Sequence, residues 1–275
     1  MSLTVFLLVL LAATMHATWN AVVKVAGDRL LTMGIVTGVG GLVGLALIPF
    51  APLPAPASWP YLALTTAIHV GYYVFLILAY RAGDLSQVYP IARGGSPLLL
   101  ALVSWPLLGE ALSARQFAGV GLVSVGIASL AFGKGDRRSL LFAAATSCTI
   151  AGYSATDAVG VRLSGSALGY IAWLFALDGA MMAAFTIWRR GARVAQALRE
   201  DWARPTLGGL LSVAGYGIVV WCYADGPVAP ISALRETSVV FAAILGSIFL
   251  REGFGARRIV AAGIVAAGIF VMNGA

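Results

Sequence analysis

Five ionisable side chains interrupt stretches that are otherwise apolar: Arg93, Asp157, Asp178, Arg235 and Glu236. Inside a membrane such a group costs about 2.5–3.5 kcal/mol on insertion scales, so each needs a reason. A guanidinium fork grips a carboxylate or phosphate through two parallel hydrogen bonds. Arg93 and Arg235 facing one dry cleft would therefore hold a small anion or the anionic end of a zwitterion. The other reading is internal neutralisation, with Glu236, Asp157 and Asp178 as partners, and the sequence leaves both open. His16, Trp19 and Asn20, at i, i+3 and i+4, share one helix face. They would line a polar cavity or form a hydrogen-bonded patch between helices. His69, Tyr72 and Tyr73 cluster in the same way, and Gln87 and Tyr89 stand just before Arg93.

The candidate substrate-binding set is Arg93, Arg235, His16, Trp19, Asn20, Tyr72, Tyr73, Gln87 and Glu236. Asp178 and Asp157 are the candidates for proton coupling, because a carboxylate inside the membrane can take up and release a proton; a structural ion pair with arginine is the other reading. No catalytic set, metal site or cofactor is expected. The sequence has no H-E-x-x-H, G-x-S-x-G or Walker-type loop, and no cysteine neighbours either of its two histidines.

These residues must be held by helices in lipid. Of 275 residues 60% are hydrophobic and 11% charged, against about 25% charged in a soluble domain. A span needs about 20 mostly apolar residues. Such segments fit at 3–25, 30–50, 59–80, 86–108, 114–133, 139–161, 167–188, 206–224, 230–250 and 257–274. No basic segment precedes the first and no cleavage site follows it, so it is expected to be retained. The connection 189–205 interleaves charges with Val194, Ala197, Leu198 and Trp202 and reads as a helix on the membrane surface. Cys148 and Cys222 lie in apolar runs and are expected to be packing residues. The net charge of +7 falls in short connections, where membrane topology accounts for it without nucleic acid.

Two stretches repeat about 142 residues apart, pairing Arg93 with Arg235, Ser96 with Ser238, Glu110 with Glu252, Gly121 with Gly263 and Gly126 with Gly268. Five helices per half is an odd number, so the halves are expected to be inverted repeats related by a two-fold axis in the membrane plane. Odd-numbered connections carry fourteen Lys/Arg, and even-numbered ones only Arg115 and Arg162. That asymmetry predicts odd connections in the cytoplasm and both termini outside.

Gly109-Glu110, then Gln116, Gly119, Gly121 and Gly126, resembles the closing signature of an EamA repeat, a family of the drug/metabolite transporter superfamily. Arg251-Glu252 to Gly268 matches the pattern again, departing at Arg251 and at Val239, which stands where the first copy has Pro97. His16 to Asn20 also fits the start of a repeat, with a looser echo at Gly152 to Ser154. The resemblance implies an all-α integral membrane protein, ten helices in two repeats at 1–134 and 135–275. It further implies a secondary transporter working by alternating access, which moves small metabolites, often outward. On the residues, the solute is an amino acid or another carboxylated or zwitterionic metabolite. The alternatives are an exporter of cationic drugs or amines, or a membrane-embedded enzyme. Partners are the solute and membrane lipid, without nucleic acid, in a monomer of the inner membrane. Glu110 and Glu252 read as turn residues, each beside a helix end whose exposed amides a carboxylate can accept from.

Overall fold

A computed structural model describes residues 1–24, 26–82, 85–131, 136–242 and 256–273. Lys134, Arg251 and Glu252 lie outside the described residues, as does the side chain of Gln87. Among the described residues the chain is helical, without strands. In order the helices are α1 (Leu3–Lys24), α2 (Arg29–Leu47), α3 (Trp59–Ala82), α4 (Leu85–Leu108), α5 (Ala114–Ala128), α6 (Arg137–Leu163), α7 (Ala167–Arg190), α8 (Arg193–Glu200), α9 (Ala203–Asp225), α10 (Val228–Glu236) and α11 (Ala256–Asn273).

Among the described residues seven helices are long and apolar enough to cross a membrane: α1, α2, α3, α4, α7, α9 and α11. The other three expected spans fall short for separate reasons. α5 has only 15 residues. α6 is 27 residues long, but Ser139, Thr146, Ser147, Ser154, Thr156 and Asp157 make one of its faces polar, and all six are buried. The expected span 230–250 is interrupted: α10 stops at Glu236, Thr237 forms a turn, and helix resumes over 238–242. Here the Thr237 hydroxyl donates to the Leu234 carbonyl at 2.6 Å, a local bond that competes with the helical ladder.

The polarity of the bundle is that of a protein dissolved in lipid. Leu7, Leu42, Leu102 and Phe270 are exposed, whereas Arg93, Arg235 and Glu236 are among the largest fully buried side chains. Trp105, Trp188 and Trp202 sit exposed near helix ends, where aromatic belts form. α8, between α7 and α9, buries none of its residues.

Principal packing partners are α2 with α7, α3 with α6, α5 with α11, α1 with α9, and α4 with α6. Backbones meet directly where small residues face each other. A Cβ added to Gly41 would come 2.9 Å from the Cα of Gly179, and one added to Gly268 would come 2.8 Å from the carbonyl oxygen of Gly119. α4 carries Pro90, Pro97 and Pro106 without ending. Pro97 lacks the N–H that would serve the Arg93 carbonyl; the Ser96 hydroxyl donates to it instead, at 3.1 Å. The helix thus continues unbroken past the residue that matters most for the site.

Candidate functional site

Arg93 is the ninth residue of α4, and Arg235 and Glu236 end α10 at the Thr237 turn. The two arginines converge on one carboxylate. Arg93 Nη1 donates to Glu236 Oε1 and Oε2 at 3.3 and 3.1 Å. Arg235 Nε and Nη2 donate to Oε1 at 2.9 and 2.6 Å. Both arginines are 2% exposed and Glu236 is 0% exposed, so the cluster holds one net positive charge away from water. Its origin is visible in the repeat: the position after Arg235 is Glu236, but the position after Arg93 is Gly94. Arg235 Nη1 has no hydrogen-bond partner among the described residues.

This nitrogen belongs to a residue lining a cavity of about 80 Å³. Walls come from α1 (His16, Trp19), α2 (Met33, Val36, Thr37), α3 (His69, Tyr72, Tyr73), α6 (Tyr153), α7 (Phe175, Asp178) and α9 (Ser212, Val213, Tyr216), with Arg93 and Arg235 alongside. Aromatic rings form much of it. Tyr153 lies edge-on to Tyr72 and Tyr216 at 5.9 and 5.8 Å between centroids. The Arg235 guanidinium lies 5.9 Å from the Tyr153 ring and 5.7 Å from the Tyr216 ring, within reach of cation–π attraction. Arg93 lies 5.5 Å from the Tyr89 ring.

His16 binds Arg93 directly, its Nε2 against Arg93 Nη2. Trp19 Nε1 points at His16 Nδ1 from 3.2 Å. The imidazole meets donors at both nitrogens and, when neutral, can accept from only one. Asn20 is turned to its own helix: its amide donates to the His16 carbonyl at 2.7 Å, and it is not in the cavity wall. Glu236 lies behind the arginines. Of the candidate set, Arg93, Arg235, His16, Trp19, Tyr72 and Tyr73 line the cavity.

The two aspartates have different surroundings. Asp157 is 0% exposed and off the wall. It accepts from the Tyr216 hydroxyl at 2.5 Å and the Tyr170 hydroxyl at 3.0 Å. Asp178 is in the wall, its Oδ2 2.8 Å from His69 Nδ1. Its Oδ1 is buried and has no hydrogen-bond partner among the described residues.

Sequence reasoning did not single out Tyr153, Tyr216, Phe175, Met33 or Thr37. Only Tyr153 carried a signal, standing in the second-half echo of the His16 segment.

At the opposite end of the bundle three connections are tied together. Gly109, at φ +67°, closes α4 in a conformation that favours glycine. The Glu110 carboxylate then accepts from Arg162 Nη2 at 2.5 Å and from the Val228 N–H at 2.9 Å. Arg162 also donates to the carbonyls of Tyr223 and Gly226, at 3.0 and 2.9 Å. Glu110 was expected to serve amides at the start of the helix that follows it. That helix, α5, is capped instead by Ser113 and Gln116, and Glu110 caps α10, more than a hundred residues away.

The family profile of the EamA-like transporter family matches residues 3–132 and again 137–274. One solved crystal structure superimposes with a TM-score of 0.75 at 20% identity, covering 98% of this chain and 95% of its own; at that identity the likeness concerns the fold alone. No protein with a curated description matches the chain at a significant level. A profile matched twice over nearly the whole length, on a bundle of long apolar helices, leaves one conclusion: the chain belongs to the EamA-like transporter family, membrane transporters of the drug/metabolite transporter superfamily.

Proposed function

We propose that the protein is a secondary transporter that exports a small carboxylated or zwitterionic metabolite across the inner membrane by alternating access. The observation carrying this reading is the charge count of the arginine cluster. Two buried guanidiniums share one carboxylate, and Arg235, a residue of the cavity wall, keeps a buried Nη1 without a partner among the described residues. A buried donor left unpaired costs about 1–3 kcal/mol, which a solute carboxylate would recover. At about 80 Å³ the cavity is far below the roughly 300–1,000 Å³ typical of drug-sized ligands. That favours a small solute over a large drug.

The reading takes ten spans in two inverted repeats, at 1–134 and 135–275, with both termini outside and the monomer as the working unit. Packing supports the two-fold relation. α2 meets α7, α4 meets α10 and α5 meets α11, while α3 on α6 is answered by α9 on α1. The lining residues belong to the middle of the helices and to the halves nearest the Lys/Arg-rich connections. Together with the Glu110–Arg162 tie at the other end, this supports a cytoplasm-facing state. For proton coupling we favour Asp157 over Asp178, because it reaches the cavity only through the Tyr216 hydroxyl while Asp178 is open to the solute.

Purified protein in detergent tests the reading by thermal shift against small acids, amines and zwitterions. Carboxylated solutes should stabilise it. Arg93→Gln and Arg235→Gln should each weaken their binding about tenfold or more, the worth of a hydrogen bond to a charged group. Stabilisation by organic cations alone, unchanged in both variants, would overturn it.

A further inference from the structure

We infer that Asp178 is the second pole of the cavity and receives the ammonium group of the solute, which makes the substrate class an amino acid with its zwitterionic head intact. This rests on the anion reading of Arg235 and adds an opposite site to it. The cavity wall contains two charged groups with complementary unfilled valences. Arg235 Nη1 is a donor without an acceptor, and Asp178 Oδ1 is an acceptor without a donor. The other oxygen of Asp178 lies 2.8 Å from His69 Nδ1.

Both poles line one cavity of about 80 Å³, and His69, the contact of Asp178, is near the arginine. The His69 ring lies 4.4 Å from the Tyr153 ring, and the Arg235 guanidinium lies 5.9 Å from it on centroid measures. His69 and Arg235 are thus separated by no more than about 10 Å. An N–Cα–C–O path with a charge-assisted hydrogen bond at each end reaches roughly 9 Å. The Tyr153 and Tyr216 rings of the same wall offer the ammonium π faces as well. Charge balances: the arginine cluster is one positive in excess, Asp178 is negative, and a zwitterion meets both without adding net charge to a dry site. A simple carboxylate would leave Asp178 unsatisfied, and a simple amine would leave Arg235 so.

The test uses matched probes on the purified protein: L-alanine and L-valine, their deaminated acids propionate and isovalerate, the amines ethylamine and isobutylamine, and N-trimethylated alanine, which keeps the charge but has no N–H. Wild type should bind each amino acid about tenfold or more tighter than its acid or amine, and the trimethylated form should lose most of that advantage. Asp178→Asn should bring amino acid and acid to the same affinity, with the acid bound no more weakly than by wild type. Arg235→Gln should weaken both. An amino acid bound no tighter than its acid in wild type overturns the inference, and this outcome does not depend on any variant folding. So does an unchanged amino-acid-to-acid ratio in Asp178→Asn; acid binding that still depends on Arg235 would then leave the anion reading standing. Acids that fail to bind wild type would bring down the anion reading itself.

Discussion

Replacing Glu236 by Gln should do more damage than removing either arginine it serves. Glu236 accepts from Arg93 and Arg235 through four contacts of 2.6 to 3.3 Å and is itself 0% exposed. Glu236→Gln leaves two guanidiniums, each 2% exposed, with no counter-charge. Stripping one partner from a buried ion pair costs about 3–5 kcal/mol. Arg235→Gln, by contrast, leaves the neutral Arg93–Glu236 pair and forfeits hydrogen bonds to a charged group, about 1.5–3 kcal/mol. The double variant Arg235→Gln/Glu236→Gln should recover part of the Glu236→Gln loss, a coupling of about 0.5–3 kcal/mol. Unfolding of the four proteins in one detergent, with and without added acetate, measures all of this. Acetate should rescue Glu236→Gln more than wild type, because it supplies the missing carboxylate. Refutation would be an Arg235→Gln protein less stable than Glu236→Gln, or a Glu236→Gln protein that acetate does not help.

Other parts of the molecule yield further expectations. Glu110→Gln breaks the pair with Arg162 (side chains 16% and 28% exposed) and should shift the protein toward opening at that end by about tenfold or more; an unchanged labelling rate of a cysteine at Ser58, buried there, would contradict this. In intact cells an impermeant thiol reagent should label Leu53→Cys, 70% exposed, from outside and spare Gln196→Cys; the reverse pattern would invert the topology. The Arg190 guanidinium, donating to Asp28 at 2.7 and 3.2 Å, holds that carboxyl below its ordinary value of 3.8. Its folded pKa is depressed, so its stabilisation is present above about pH 3.8 and fades as pH falls below that. At neutral pH Asp28→Asn should cost less than about 1 kcal/mol for this partly exposed pair. Asp28→Ala should cost more, because Asn keeps the cap that Oδ1 provides to the Leu31 N–H. Equal losses for Asn and Ala would assign the whole effect to the ion pair.

Helix positions were legible in the sequence because lipid imposes a length and a polarity, and both are local properties. Arg93 and Arg235 stood out for the same reason, as charges where charge is costly. The repeat even put the two arginines at matching positions. What remained hidden depends on pairing across the fold. Glu236 was one of three acids available to the arginines, and nothing local told that it would take both. Tyr216 and Tyr170 hold Asp157 from helices 59 and 13 residues away in sequence, with no motif to announce them. The interruption at Thr237 was missed because no proline or glycine marks it; a single hydroxyl bonding back to Leu234 accompanies it. Glu110 was placed correctly at a turn, yet its amide partner lies in the other repeat.

The built-in carboxylate has a consequence for the return stroke. A carrier that delivers solute on one side must bring its empty cavity back, passing through a form in which that cavity is shut off from water on both sides. Two bare guanidiniums in that form would hold the empty carrier in place until another anion arrived, which would restrict it to swapping one solute for another. Glu236 travels with the arginines and removes one of the two uncompensated charges. A charge in the membrane costs about 2.5–3.5 kcal/mol, so on the proposed alternating-access cycle Glu236 would ease the empty return. On that proposed cycle the cavity would suit net movement of solute, with Glu236 holding half of the arginine charge whether or not solute is bound.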